Sequence, residues 1–192
     1  QLLLFSRKIP LEFKMLDINQ LVKENVSFIR RMVEETVEIK LDLASDLPNV
    51  KSDQGQLTQV IMNFAINGRD AMDGKGVLTI KTERVPSDSE LVANNPVPGI
   101  KEYILLSVSD TGCGIAPEEQ QNIFDPFFTT KGLGKGTGLG LSMASGIVTM
   151  HGGGIKVTSV QDQGTTFDIY LPIAEGLVTN IENHPKIDSE GA

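Results

Sequence analysis

Residues 131–141 read KGLGKGTGLGL, a stretch in which five glycines alternate with other residues. Apolar residues then recur at helical spacing from Leu139 to Met150, so the loop is predicted to open directly into a helix. The backbone amides of such a loop can wrap phosphates, and the helix N-terminus adds a favourable partial charge. Lys131 and Lys135 supply full positive charges. A flexible surface loop can have the same composition, so the interpretation depends on the neighbouring segments.

The order of predicted elements around this loop points to an open sheet covered by helices. No Gly-Lys-Ser/Thr closes the loop at Walker spacing, and no plain βαβ unit precedes it, which argues against a dinucleotide-binding fold. Mixed helices and hairpins predict a mainly antiparallel sheet with helices on one face. We predict helices over 17–33, 53–72, 117–122 and 139–150, strands over 37–43, 77–82, 103–109, 155–160 and 166–171, and an irregular excursion over 84–100.

Composition and charge exclude several classes of protein. The 192 residues predict one domain, and the apolar and charged fractions of 40% and 22% are typical of globular chains. No run approaches the length of a transmembrane helix. A balance of 17 basic and 25 acidic residues gives a net charge of -8, so we predict no nucleic-acid partner. The single cysteine, Cys113, excludes an internal disulfide and a cysteine-based zinc cluster.

Three short oxygen-bearing side chains lie along one flank of the helix predicted over 53–72. Asn63, Asn67 and Asp70 fall within about 60° of one another around the helix axis and border its apolar face. Carboxamide oxygens and a carboxylate suit Mg²⁺, which also takes waters and phosphate oxygens. A solvated helix flank would show the same spacing, so both interpretations stay open at this point.

A second polar group follows an apolar strand. Asp110 lies where the predicted strand ends, and Gly112 and Gly114 permit a sharp turn and the close approach of a flat ligand. The carboxylate could accept a hydrogen bond from an exocyclic amine. It could equally hold backbone amides in a tight turn. Cys113 is interpreted as a small residue between two glycines.

Together and in this order, the segments resemble the sequence boxes of sensor histidine kinases. Residues 63–71 (NFAINGRDA) resemble the N box, 110–115 (DTGCGI) the G1 box, 124–128 (FDPFF) the F box and 134–141 (GKGTGLGL) the G2 box. The match covers about residues 10–175 and resembles a catalytic and ATP-binding domain of the GHKL superfamily. It implies a Bergerat fold, which is an α/β two-layer sandwich with a mixed, mainly antiparallel sheet, helices on one face and a glycine-rich ATP lid.

The resemblance also implies a role for each matching residue. Asn67 would coordinate Mg²⁺, Asn63 would lie near the phosphates, and Lys131 would join them in catalysis. Asp110 would receive the adenine amino group, and Thr165 would support that end of the base through water. The implied ATP-binding set is Asn63, Asn67, Asp70, Asp110, Gly112, Gly114, Ile115, Phe128, Thr129, Thr130, Lys131, Gly134, Lys135, Gly136, Thr137, Gly138, Leu139, Gly140, Leu141 and Thr165.

One position separates the reaction types within the superfamily. The related ATPases, such as gyrase B subunits, carry a water-activating Glu where Asn63 stands, and an amide cannot act as such a base. The resemblance therefore implies a protein-histidine kinase of a two-component system. It would transfer the ATP γ-phosphoryl group to a histidine on a separate helical hairpin, for relay to a response-regulator aspartate. The alternatives are a non-catalytic ATP-sensing module and a GHKL ATPase.

The resemblance divides the chain into three parts and implies partners. Residues 1–9 would end the preceding dimerisation and acceptor helix, 10–175 would form the catalytic domain, and 176–192 would be a tail or linker. The expected partners are the upstream dimerisation and acceptor domain and a response regulator. We expect this chain to be monomeric within a homodimeric parent. We also expect a cytoplasmic location without direct membrane contact, including as the cytoplasmic part of a membrane-anchored parent.

Overall fold

A computed structural model describes residues 11–33, 36–88, 100–130 and 136–173. Residues 1–9 and 176–192, which the sequence assigns to a preceding helix and to a tail, lie outside the described residues. Within these ranges no helix combines the length and the apolar character needed to cross a membrane. The elements are β1 (Lys14–Leu16), α1 (Ile18–Met32), β2 (Val37–Leu43), β3 (Val50–Ser52), α2 (Gln54–Met72), β4 (Gly76–Pro86), β5 (Glu102–Asp110), α3 (Gly140–Met150), β6 (Gly154–Val160) and β7 (Gly164–Pro172).

The main sheet has five strands in the order β2-β4-β5-β7-β6. The strands β2 and β4 run parallel, with α2 in the connection between them, and every other neighbouring pair is antiparallel. The predicted mixed, mainly antiparallel sheet is therefore confirmed. The strands β5 and β7 are central and have a hydrogen-bonded neighbour on each side. Asp110, the last residue of β5, pairs with Thr165 near the start of β7.

The helices pack on one face of this sheet. Because side chains alternate between the faces of a strand, Ile104, Leu106 and Val108 of β5 all point towards the helices and are buried there. Phe64 of α2 stacks on Phe167 of β7 with ring centroids 4.5 Å apart. Each such buried side chain contributes about 1.5–3 kcal/mol to stability. The predicted two-layer α/β sandwich with helices on one face is confirmed.

The structure corrects the predicted helix over 117–122. These residues form consecutive turns, in which Glu119 N–H donates to Ala116 O and Asn122 N–H donates to Glu119 O. Gln120 explains the difference, because its side-chain amide donates to the backbone oxygens of Ile115 and Ser159. This tertiary anchor outweighs the local helix propensity of the segment.

The structure also extends one strand and adds a small sheet. The strand β4 continues to Pro86 rather than ending at residue 82, because Val85 pairs with Tyr103 and packs against it on the sheet face away from the helices. The strands β1 and β3 form a separate antiparallel pair that the sequence did not predict. Three-residue strands are too short to show a periodicity of two.

Asp53 joins the small sheet to the start of α2. Its carboxylate accepts from the N–H of Gln56, which caps α2 at 3.0 Å, and from the N–H of Glu12 at 2.8 Å. The N–H of Asp53 donates to Nε2 of His151, the residue that ends α3. The pKa of Asp53 is lowered, first by the hydrogen bond from Gln56 and then by that from Glu12. Asp53 therefore connects the chain before α1 to the two helices that border the candidate site.

We expect Asp53→Ala to lower the free energy of unfolding by about 1–2 kcal/mol, because it removes a helix cap and a second backbone hydrogen bond. Urea unfolding measures the change. Asp17→Ala is the matched control. Asp17 caps α1 by the same geometry but accepts from a single backbone donor among the described residues, the N–H of Gln20, so its loss should cost less. Equal costs for the two variants would contradict this interpretation.

The stabilisation by Asp53 also depends on pH. Because the pKa of Asp53 is lowered on folding, its contribution to stability is present above its unfolded pKa, about 3.8, and is lost as pH falls through the folded value.

Candidate functional site

A cavity of about 720 Å³ lies between α2, the loop after β5 and the start of α3. Most of the residues that the sequence assigned to nucleotide binding surround it. Lys131, Gly134 and Lys135 lie outside the described residues, and their roles stay predictions. Gly112 and Leu139 lie beside the lining rather than in it. The predicted residues that line the cavity are Asn63, Asn67, Asp70, Asp110, Gly114, Ile115, Phe128, Thr129, Thr130, Gly136, Thr137, Gly138, Gly140, Leu141 and Thr165.

The two asparagines of α2 both line the cavity, but their carboxamides differ in hydrogen bonding. The amide of Asn63 donates to the backbone oxygen of Gly140 at 3.0 Å, which ties α2 to the first residue of α3. Among the described residues, no hydrogen bond is seen from the carboxamide of Asn67, which is one helical turn further along. Asn67 therefore presents a carboxamide that a ligand can engage, while Asn63 also holds the end of the glycine-rich loop in place.

Asp70 lies at the rim of the cavity with a cation beside it. Arg69 donates to Asp70 Oδ1 from Nε at 2.8 Å and from Nη2 at 2.5 Å. Nη1 of Arg69 donates to the backbone oxygen of Met32, the last residue of α1. The guanidinium thereby offsets the carboxylate charge next to the place where an anionic ligand would lie, and it joins α1 to α2.

Asp110 is the buried carboxylate of the site. It is only 7% exposed, at the end of the central strand β5, and its Oδ1 accepts from the N–H of Gly112 at 2.8 Å. Burial raises the pKa of Asp110, and backbone hydrogen bonds from Gly112 and Thr165 offset part of that effect. A buried carboxylate that is only partly satisfied by the protein is suited to accept from a ligand N–H.

The loop after Asp110 is held against the β6–β7 hairpin. Gly114 has φ of +68°, and a Cβ there would lie 2.2 Å from the backbone oxygen of Val160. Asp162 N–H donates to Cys113 O at 2.8 Å, and Cys113 N–H donates to Ala71 O at 3.0 Å. Only glycine permits both the backbone angle and the close approach, so the residue type fixes the shape of this wall.

The aromatic segment 124–128 meets the far end of the glycine-rich loop. The N–H of Phe127 donates to Gly138 O at 2.9 Å, and a Cβ on Gly138 would lie 2.4 Å from the carbonyl carbon of Phe127. Gly138 itself has φ of +64°. Within the part of the chain that is described, the aromatic segment therefore holds this end of the glycine-rich loop.

Seven lining residues were absent from the predicted set. Arg69, Ile66 and Ala71 belong to the helical segment already chosen, so their proximity could have been read from helical spacing. Phe167 follows Thr165 by two residues on the same face of β7, which strand periodicity could have shown. No local pattern indicates Glu119 or Ile123, because the turns after the loop place them. The seven are Ile66, Arg69, Ala71, Cys113, Glu119, Ile123 and Phe167.

The donor set of the cavity fits a loosely held hard cation. The described residues contain no cluster of three or more histidine, cysteine or acidic side chains that could enclose a metal. Mg²⁺ does not need such a cage, because it keeps several waters and takes one or two protein oxygens together with phosphate oxygens. The carboxamide oxygen of Asn67 is suitably placed on the lining for that purpose.

The family model described as histidine kinase-, DNA gyrase B- and HSP90-like ATPase matches residues 52–175. The chain belongs to this family. The matched range covers α2, the loop after β5, the start of α3 and the β6–β7 hairpin, and so includes every wall of the cavity.

Individual relatives narrow the resemblance to sensor histidine kinases. The sensor kinase CckA of Brucella abortus is 43% identical over 90% of this chain, and AtoS of Escherichia coli is 36% identical over 90%. The chain spans 18% and 26% of the length of these two relatives. The predicted resemblance to a histidine kinase catalytic and ATP-binding domain is confirmed.

Solved structures agree with this assignment. Full-length ShkA, solved in complex with AMPPNP, has a TM-score of 0.69 and 28% identity, and the match covers 86% of this chain and 32% of that one. The catalytic domain of the histidine kinase ThkA, in a nucleotide-free form, has a TM-score of 0.64 and 28% identity over 85% of this chain and 97% of that domain. The described fold is therefore that of a histidine kinase catalytic domain.

Proposed function

We propose that this domain binds Mg-ATP in the cavity and transfers the γ-phosphoryl group to a histidine on a separate helical-hairpin domain. The observation that supports it most directly is the lining itself, because Asn63, Asn67, Asp110 and the end of the glycine-rich loop surround one space. ShkA, a relative with the same fold, was solved with AMPPNP, an analogue of ATP. Relay to a response-regulator aspartate would follow in a second step.

In this proposal the adenine lies at the Asp110 end and the phosphates lie between α2 and α3. Asp110 accepts from the 6-amino group, while Asn63, Asn67 and the N-terminus of α3 face the phosphates. Asn67 would hold Mg²⁺ through its carboxamide oxygen, and the ion would neutralise negative charge on the phosphates. Lys131 and Lys135 add positive charge from the glycine-rich loop.

Transfer is favoured over hydrolysis by the residue type at Asn63. Phosphoryl transfer needs mainly positioning and charge stabilisation, which amides and backbone donors provide. Hydrolysis needs a base that orients and deprotonates water, and the amide of Asn63 already donates to Gly140 O and has no basic atom. A non-catalytic ATP-sensing module would use the same cavity without transfer.

The partners follow from the same proposal. The parent protein would supply a dimerising helical hairpin that carries the acceptor histidine, and a response regulator would receive the phosphoryl group. The named relatives CckA, AtoS and ZraS are sensor kinases, which agrees with these partners. We propose a cytoplasmic location for the domain, where ATP is available.

Transfer in trans tests the function. The purified domain is mixed with the purified hairpin domain of the same parent protein and γ-labelled ATP, and a variant hairpin without its histidine is the control. We expect an acid-labile, base-stable label on the hairpin alone. Saturable ATP binding without labelled hairpin would contradict the kinase proposal and favour a sensing module. Rapid phosphate release by the isolated domain would favour an ATPase.

A further inference from the structure

A row of four side chains crosses the sheet at the adenine end of the cavity. Leu78 of β4 pairs with Asp110 of β5, Asp110 pairs with Thr165 of β7, and Thr165 pairs with Ser159 of β6. Paired residues point to the same face of a sheet, which here is the face that carries the helices. Asp110 and Thr165 line the cavity, while Ser159 lies one strand further out and is not part of the lining.

The hydroxyl of Ser159 has three hydrogen-bond partners. It accepts from the N–H of Ile115 at 2.8 Å, it contacts the backbone oxygen of Gly164 at 3.0 Å, and it contacts Oγ1 of Thr165 at 2.9 Å. A serine hydroxyl has one hydrogen and two lone pairs. Because a carbonyl oxygen can only accept, the single hydrogen of Ser159 goes to Gly164 O. Both lone pairs are then left for Ile115 N–H and for the hydroxyl hydrogen of Thr165.

The hydrogen bonds of Ser159 fix the direction in which the Thr165 hydroxyl donates. Its hydrogen is donated to Ser159, so Thr165 has only acceptor lone pairs left for anything else that reaches it. The backbone N–H of Thr165 lies in the plane of the sheet and not in the cavity, because β7 pairs with β5 on one side and with β6 on the other. The polar side-chain groups of Asp110 and Thr165 therefore both act as acceptors at this end of the cavity.

Acceptors on the protein favour a base that carries donors. A purine with a 6-amino group offers N–H donors at that edge, directly or through one water. A purine with a 6-oxo group offers a carbonyl oxygen there, which would face the two acceptors without a hydrogen between them. A site that hydrogen-bonds a donor discriminates against an analogue without it, because buried polar groups are then left unpaired.

We propose that Ser159 is a positioning residue that sets the preference for 6-amino over 6-oxo purine nucleotides by holding the Thr165 hydroxyl as an acceptor. This rests on the proposed function, because it takes Asp110 as the adenine end of the site. Ser159 acts on the base through Thr165. It acts separately on the loop wall, because it is the acceptor for Ile115 N–H.

The two actions predict different effects of one substitution. Ser159→Ala frees the Thr165 hydroxyl to turn its hydrogen towards the base, which should improve the relative fit of a 6-oxo purine. It also leaves Ile115 N–H without this acceptor, which should weaken every nucleotide alike. ATP and ITP differ at the 6-position and at N1, which carries a hydrogen only in ITP. Both differences are the same in every variant, so the change in the ATP-over-ITP ratio between variants isolates the first action from the second.

The experiment measures this ratio by displacement of a fluorescent ATP analogue in wild type, Ser159→Ala, Thr165→Val and the double variant. We expect Ser159→Ala to lower the ATP-over-ITP ratio about 3- to 10-fold, the range expected for one hydrogen bond. In the Thr165→Val background, where there is no hydroxyl to orient, Ser159→Ala should leave the ratio unchanged while still weakening ATP binding. Thr158→Ala is the matched control, since this exposed neighbour on β6 points to the other face and should leave the ratio at the wild-type value.

Each outcome has a definite meaning. A wild-type ratio in Ser159→Ala, or an equal drop in both backgrounds, would overturn the proposal, because Ser159 would then not act through Thr165. Failure of the wild-type domain to bind ATP would instead overturn the proposed function. If thermal melting shows that the Ser159→Ala variant is not folded, Ser159→Cys replaces it. Its weak sulfur donor and acceptor should lower the ratio in the same direction, and an unchanged ratio there would equally overturn the proposal.

Discussion

Asp110→Asn is expected to weaken ATP binding about 100-fold while the domain stays folded. The amide keeps the size of the side chain and one oxygen that can accept from Gly112 N–H. It replaces the second acceptor by an NH₂ group, which would face the donors of the base. Loss of a hydrogen bond to a charged group, together with a donor left unpaired, is sufficient for an effect of this size. Calorimetric titration with Mg-ATP measures the affinity.

A second buried aspartate provides the matched control for this prediction. Asp168 is 8% exposed, lies on the same strand β7 as Thr165, and accepts from the hydroxyl of Ser107 on the opposite face of the sheet. Asp168→Asn should leave the ATP affinity within about twofold of wild type, because the residue does not line the cavity. Similar losses in the two variants would mean that Asp110 acts through the fold and not through the ligand.

The pH dependence of the same residue has a defined sign. Burial raises the pKa of Asp110 in the folded domain above its ordinary value of 3.8. A group with a raised folded pKa contributes stability below its unfolded pKa and loses that contribution as pH rises through the folded value. The unliganded wild type should therefore lose stability relative to Asp110→Asn as pH rises from the unfolded value of 3.8 through the folded value. Thermal melts of both proteins across this range measure the difference, and a constant difference would contradict it.

Local patterns predicted the elements whose causes are local. Asp53 and the apolar stripe that follows it predicted α2 to within a residue, because both the cap and the helix face are encoded within one segment. The strand β2 was predicted for the same reason, since it alternates over its whole length. The three polar residues that the sequence selected on α2, Asn63, Asn67 and Asp70, consequently line one cavity.

Features that depend on distant partners could not be predicted in this way. The strands β1 and β3 exist because residues 34 to 38 positions apart pair, and neither strand has a pattern of its own. The segment after Pro117 loses its predicted helix because Gln120 bonds to β6. The contact of Ser159 with Thr165 requires the hairpin register, which aligns the two hydroxyls across strands. Each of these needs the tertiary structure first.

Asn67→Ala is expected to lower phosphoryl transfer to the hairpin domain at least about 100-fold and to remove the effect of Mg²⁺ on ATP affinity. The proposed metal ligand is the carboxamide oxygen, and alanine has no oxygen to replace it. In the absence of Mg²⁺, ATP should bind the variant and the wild type about equally, because the base end of the site is unchanged. Titrations with and without Mg²⁺ separate the two cases, and the trans-labelling assay measures transfer.

The neighbouring asparagine makes this prediction specific to the metal. Asn63 donates its amide to Gly140 O, so Asn63→Ala should release the start of α3 and weaken ATP binding whether or not Mg²⁺ is present. Asn25→Ala on α1 controls for the loss of a helical asparagine, since Asn25 bonds to Leu21 O and lies outside the cavity. If Mg²⁺ still strengthened ATP binding to Asn67→Ala as it does to wild type, Asn67 would not be the metal ligand. The adjacent carboxylate, Asp70, would then be the residue to test, because it lies one turn of α2 further along the same lining.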